Sequence, residues 1–173
     1  MRSSLLIAVL FLGAIADNAT AEVTDKDKHG FSLVQETVVS VDPATAWAAA
    51  VDNVHLWWHP DRTISGDAGL LSIDARPLGC FCEATGGGVV HLQVTTVSPG
   101  VILRMTGGLG PLGLMGVNGN MTWEFFDTGD GTRIRFSYAV GGYSPDGLDN
   151  IAEPVDAVIG EALLRLQMYI DGE

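Results

Sequence analysis

Basic side chains are scarce: nine lysines and arginines stand against 21 acids among 173 residues, a formal net charge of −12. A phosphate backbone would be repelled by this balance. No basic stripe offsets it, because Arg133 and Arg135 alternate along one segment while Arg104 and Arg165 are single charges among apolar neighbours. Nucleic acid is therefore not an expected partner, and anionic membrane surfaces are disfavoured on the same electrostatic ground. Cysteine is nearly absent, with two residues in the chain. A chain of this length buries about two-thirds of its unfolded surface around one core, so folding requires neither a disulfide framework nor a structural metal. Cys80 and Cys82, one residue apart on a predicted strand, share a face. Extended residues at that spacing hold their Cα atoms near the upper limit for a disulfide, which leaves three readings open: reduced thiols, a strained or intermolecular disulfide, or metal or redox chemistry. Long apolar runs are also missing beyond the first few residues. The region from Leu109 to Val117 is broken by glycines and a proline, short of the about 20 apolar residues a membrane helix needs.

The exception is the start of the chain. Arg2 precedes an apolar run from Leu5 to Ala16, and Ala19-Thr20-Ala21 forms the small-x-small pattern read by signal peptidase. Asp17 and Asn18 stop the run at about a dozen residues, too few for a membrane anchor. Cleavage after Ala21 is therefore expected, and with it a periplasmic or secreted protein with no stable membrane insertion. It removes one base, Arg2, and one acid, Asp17, so the net charge is unchanged. The expected organisation is a signal peptide over 1–21, a flexible lead-in over 22–30 whose charges follow no period, and one domain over 31–173.

Within that domain, Phe31 to Val41 alternates and is rich in valine and threonine, which predicts a first strand. Asp42 is a good N-cap with Pro43 at the first helical position. A short helix over Ala44 to Val51 is expected to present Trp47 and Val51 on one face, followed by a second short turn from Val54 to Trp58 that ends at Pro60. From Leu70 onward, antiparallel strands are punctuated by Gly86-Gly87-Gly88, Ser98-Pro99-Gly100 and Gly129-Asp130-Gly131. Around the second turn the predicted register pairs Val94 with Met105, Thr96 with Leu103 and Leu92 with Gly107. Around the third it pairs Phe126 with Arg133, Phe125 with Ile134, Trp123 with Phe136 and Met121 with Tyr138, while Glu124 faces Arg135. Each register yields one apolar and one polar face, as in an antiparallel sheet covered on one side. The cover is a predicted amphipathic helix carrying Ile151, Val155, Val158, Ile159, Ala162, Leu166, Tyr169 and Ile170 at spacings of three and four. It starts either with an Asn150 and Glu153 capping box or with Glu153 as cap and Pro154 first.

This order, together with Val41-Asp42-Pro43-Ala44-Thr45-Ala46-Trp47, Trp57-Trp58, Gly88-Val89-Val90 through Val97-Ser98-Pro99, and Gly131-Thr132-Arg133-Ile134 before the last helix, resembles the SRPBCC superfamily, which includes START, birch-pollen-allergen and polyketide cyclase-like proteins. The polyketide cyclase and activator-of-chaperone-ATPase-like branch is the most similar. The resemblance implies an α+β helix-grip fold: a curved antiparallel sheet wrapped around a long C-terminal helix, with two short helices after the first strand. It also implies a cavity between sheet and helix. Activation of a cytosolic chaperone does not suit an exported chain.

Few residues suggest chemistry. His55 and His59 are four apart but lack a third ligand, and Pro60 ends the turn; Cys80, Cys82 and His91 make a weak zinc candidate because His91 is expected to face away from Leu92. No metal or other cofactor is therefore expected. Glu83, Glu124, Arg135, Tyr138 and the histidines are the acid-base candidates, with Glu124 and Arg135 read as a cross-strand ion pair. No catalytic residue is assigned, because no Gly-x-Ser-x-Gly elbow or phosphate loop is present. The expected ligand-binding set is the apolar face, Leu103, Met105, Met121, Trp123, Phe125, Phe136 and Tyr138, with Trp57, Trp58, Leu112 and Met115 near the mouth. The Leu109 to Met115 connection acts as lid or as core plug. The expected function is to hold a hydrophobic small molecule or lipid; the alternatives are a cyclase- or hydratase-like enzyme on the same scaffold, or a protein-interaction module using the apolar glycine-rich loop.

Overall fold

Alternation builds one eight-stranded antiparallel sheet in the computed structural model, which describes residues 21–172. The strands are β1 (Ala21–Asp27), β2 (Gly30–Val39), β3 (Leu71–Ile73), β4 (Cys80–Glu83), β5 (Val89–Ser98), β6 (Ile102–Gly107), β7 (Gly116–Asp127) and β8 (Thr132–Tyr143), in the order β1-β2-β8-β7-β6-β5-β4-β3. Most of the segment read as an export signal lies outside the described residues. The lead-in expected to lack structure is instead the edge strand β1, joined to β2 by a turn. Its charges suit an edge, where only one side pairs and the other faces water. Lys26 reaches Glu153 and Val23 packs on the core, which gives the strand side-chain anchors as well.

Asp42 caps the first helix as its chemistry predicts, accepting from the amides of Ala44 at 2.9 Å and Thr45 at 3.1 Å. Helix α1 (Pro43–Trp47) runs into a π-turn over Ala48–Asp52, then comes α2 (Val54–Trp57), with Trp47 and Val51 buried together. Helix α3 (Ala152–Asp171) crosses the inner face of the sheet. Neither expected cap forms: a 3-10 turn over Asp149–Ile151 leads into α3, and Asn150 Nδ2 donates to the Asp146 carbonyl at 2.7 Å instead. Two polar inward residues of β2 fix the helix position. Gln35 donates to Asp156 at 2.7 Å and Thr37 donates to Gln167 at 2.6 Å, so neither is buried unpaired.

The predicted β7–β8 register is observed residue for residue. Around the other turn Val94 does face Met105, but Thr96 faces Arg104 and Val97 faces Leu103, because a bulge inserts Thr95. Arg135 forms an ion pair at 3.4 Å with Glu36 of β2, not with Glu124; β8 lies between β2 and β7, so both acids stand opposite the arginine. A second bulge, between Phe81 and Cys82, sets Phe81 against Leu92 and Cys82 against Val90. His91 is the extra residue, and both it and Leu92 are buried, contrary to simple alternation. Beside this bulge Cys80 and Cys82 form a disulfide with Cα atoms 5.4 Å apart. Of the three readings of the cysteines, the intramolecular disulfide is the one realised.

Among the described residues no helix is long and apolar enough to cross a membrane.

Candidate ligand-binding cavity

The inner face of the sheet is largely solid. Trp123 stacks on Phe136 with centroids 4.3 Å apart, and Trp57 and Phe81 close on Trp123 at 6.0 and 6.4 Å. Leu103, Met105 and Met121 are fully buried in the same layer, and Phe125 packs on Trp47. Of the residues expected to bind ligand, Trp57, Leu103, Met105, Met121, Trp123, Phe125, Phe136 and Tyr138 are buried in the core and do not line the apolar cavity beside α3; Tyr138 borders only an open cleft with Ser32, Arg104, Asn120 and Thr122 on its rim. Trp58, Leu112 and Met115 do line the apolar cavity.

That cavity, about 350 Å³, lies beside the N-terminal half of α3, between the helix and the loops that face it. Ile151, Pro154, Val155, Val158 and Ile159 form its helical wall, Leu109 to Met115 a second wall, and Trp58 with Thr63 and Ile64 a third. The helix stripe was legible in the sequence as a core-facing face. The Asp61 to Ile64 wall was not, since it is an irregular segment placed by long-range hydrogen bonds, and only the proximity of Trp58 hinted at it.

Trp58 owes its position to the end of α2. The chain becomes extended at Trp58, and the two indoles, tilted against each other with centroids 5.5 Å apart, take different acceptors: Trp57 Nε1 donates to the Ala49 carbonyl at 3.1 Å, Trp58 Nε1 to the Arg62 carbonyl at 3.2 Å. His59 therefore lies beyond the helix, where Nδ1 accepts from the Asp61 amide at 3.1 Å. The pairing of His55 and His59 on one helix face is not formed. Among the described residues no group of three or more His, Cys, Asp or Glu side chains is arranged to hold a metal ion.

The Leu109 to Met115 segment is neither plug nor detached lid. It forms a 3-10 turn over Gly110–Leu114 in which Leu112 is buried and Leu114 is 90% exposed. Tyr138 holds its base: the hydroxyl donates to the Gly107 carbonyl at 2.9 Å and accepts from the Leu109 amide at 3.1 Å. Burial raises the Tyr138 pKa above its ordinary value, outweighing the lowering effect of the Leu109 amide, so the phenol remains a donor at physiological pH. Gly119 makes this placement possible, because a Cβ there would stand 2.5 Å from the tyrosine ring.

The third wall is held by Glu83, which sequence placed among acid-base candidates without a partner. Its carboxylate accepts from the amides of Ile64 at 2.9 Å and Ser65 at 2.5 Å and pairs with His91 Nε2 at 3.0 Å. Burial pushes the carboxyl pKa up, but hydrogen bonds from Ser65, Ile64 and His91 more than reverse this and bring it to about 2. Glu83 is thus an ionised strut behind the wall, not a group facing the cavity.

The cavity's polar end is its solvent edge. Asp61 is exposed, and Arg62 is tied to Glu161 of α3 by an Nε–Oε2 contact of 2.9 Å. His59 lies 3.8 Å from the same Glu161 carboxylate and 4.0 Å from Asp61. All other lining side chains are apolar, Thr63 apart, whose hydroxyl donates to the Pro60 carbonyl at 2.7 Å. The arrangement suits a small hydrophobic molecule and presents no proton-moving group to the interior of the cavity.

Comparison with known proteins agrees on the scaffold. The crystal structure of Ara h 8.0201 superposes with a TM-score of 0.57 at 15% identity, covering 83% of this chain and 99% of that one. CalU16 from Micromonospora echinospora gives 0.53 at 18% identity over 82% and 76% of the two chains. An uncharacterised protein from Rhizobium leguminosarum gives 0.59 at 19% identity over 83% and 96%. No curated protein matches the chain in sequence. The model of the family described as polyketide cyclase/dehydrase and lipid transport matches residues 31–170, which take in the sheet from β2 to β8 and nearly all of α3. With its helix-grip fold, the chain belongs to this family of the SRPBCC superfamily.

Proposed function

We propose that this protein is an exported carrier that holds a compact hydrophobic molecule in the cavity between α3, the Leu109 to Met115 turn and the Asp61 to Ile64 wall. The observation that carries the reading is the composition of the cavity: apolar walls, with Asp61 and Arg62 confined to the solvent edge. A cyclase- or hydratase-like reaction requires an acid or base against the reacting atoms, and the interior supplies none, which favours binding over catalysis. The family's description, which includes lipid transport, supports the same reading. Export is supported by the signal-like N-terminus and by the Cys80–Cys82 disulfide, since such bonds persist in oxidising compartments.

The test is fluorescence titration with 1-naphthylamine, a compact probe that is uncharged at neutral pH. A ligand of about a dozen buried atoms gives an expected Kd of about 10–100 µM. Val158→Trp, which fills the cavity, is expected to weaken binding by about tenfold or more while leaving the circular dichroism spectrum unchanged. Saturable binding of equal strength in the variant would remove the cavity from the reading, and absence of any saturable binding would remove the carrier.

A further inference from the structure

The carrier reading leaves the ligand's charge open, and the mouth of the cavity addresses it. Two cationic or titratable basic side chains stand there, Arg62 and His59, and both face Glu161. Asp61 adds a second carboxylate, 84% exposed, and the chain as a whole carries −12. An anionic head group emerging from the cavity thus meets an arginine already neutralised by a fixed carboxylate, another carboxylate beside it, and a negative protein field. The Thr63 hydroxyl is directed at the Pro60 carbonyl and the Trp58 indole N–H at the Arg62 carbonyl, so neither hydrogen is aimed at a ligand.

We infer that the cavity selects an uncharged hydrophobe of about a dozen non-hydrogen atoms, taking about 30 Å³ for each, and that Glu161 is the residue that excludes anionic amphiphiles by occupying Arg62. This rests on the carrier reading and specifies the ligand class of that same site. Glu161 is suited to the role because it projects from the helix whose preceding turns form the cavity wall. Its side chain is one-third exposed, which keeps it at the rim, and Arg62 is half-exposed and within reach of solvent and ligand alike once released.

The experiment compares decanol with decanoate by titration calorimetry at about pH 8, where the carboxylate is fully ionised. Any apolar cavity disfavours an ion, so a preference of wild type for decanol is expected but the variants decide. Glu161→Gln, which retains size and polarity, is expected to strengthen decanoate binding by about fivefold, the scale of an exposed ion pair, and to leave decanol within about twofold. Adding Arg62→Gln to Glu161→Gln is expected to abolish that gain, because the released guanidinium is its source. Decanoate binding wild type as tightly as decanol, or Glu161→Gln failing to strengthen it, overturns the inference while leaving the carrier reading intact. If neither compound binds any of the three proteins, the carrier reading itself fails.

Discussion

Glu83 has no exposed side-chain surface and still carries its charge, because two backbone amides and an imidazole replace the water it has lost. Its pKa falls from 4.5 to about 2 on folding, so below neutrality the unfolded chain binds the proton more readily than the native one. The native carboxylate consequently stabilises the fold by about 3 kcal/mol once pH exceeds the unfolded value, and that contribution disappears as pH falls toward the folded value. Urea unfolding of wild type and Glu83→Gln across this range is expected to show a stability gap that is largest at neutral pH and closes between 4.5 and about 2. A gap independent of pH would mean that the glutamine merely packs badly. The acid was visible in the sequence, but its pairing with His91 was not. That contact depends on the bulge at Phe81 and Cys82, which turns His91 inward, and a bulge leaves no trace in an alternation that is only four residues long in β4.

At the scale of elements, the connection from β6 to β7 is where backbone geometry becomes part of the binding site. Gly107 has φ near +143°, a region costly for residues with a Cβ, and the chain leaves the sheet there to form the cavity wall. Tyr138 then ties Gly107 to Leu109. Tyr138→Phe keeps the buried ring but strands one carbonyl and one amide, at an expected cost of about 1–2 kcal/mol. Hydrogen exchange is expected to quicken at residues 108 to 115 and to remain unchanged in β7 and β8; Gly119→Ala, which drives a methyl into the tyrosine ring, should produce the same local pattern. Uniformly faster exchange throughout the sheet would show that the tether acts on global stability instead. The β7–β8 pairing was legible because a tight turn at Gly129 fixes where two long strands begin and only one register puts Trp123 beside Phe136. The β5–β6 pairing drifted by one residue at Thr95, and β1 was missed because charge on an edge strand has the composition of a solvated tail.

For the molecule as a whole, the sequence indicated which faces are apolar but not where they fail to meet. Trp123, Phe125, Phe136 and Met121 have the composition expected of either a cavity lining or a filled core, and the choice depends on the inclination of α3 to the sheet, a long-range property. The aromatic layer packs densely, and the unfilled volume lies toward Val155 and Val158, where short β-branched side chains leave a gap between helix and loops. An apolar hollow retained in an otherwise filled domain forgoes dispersion contacts and buried area. If selection for binding maintains it, filling it should improve the fold and impair the activity. Val155→Phe adds apolar bulk at the helical wall without touching the Gln35–Asp156 or Thr37–Gln167 bonds that seat the helix. It is expected to raise Tm by about 2–4 °C, equivalent to about 1 kcal/mol in a domain of this size, and to weaken 1-naphthylamine binding in the same preparation. A fall in Tm accompanied by weaker binding would indicate overpacking, with the space already used by the native side chains. A rise in Tm with unaltered binding would place the ligand elsewhere on the molecule.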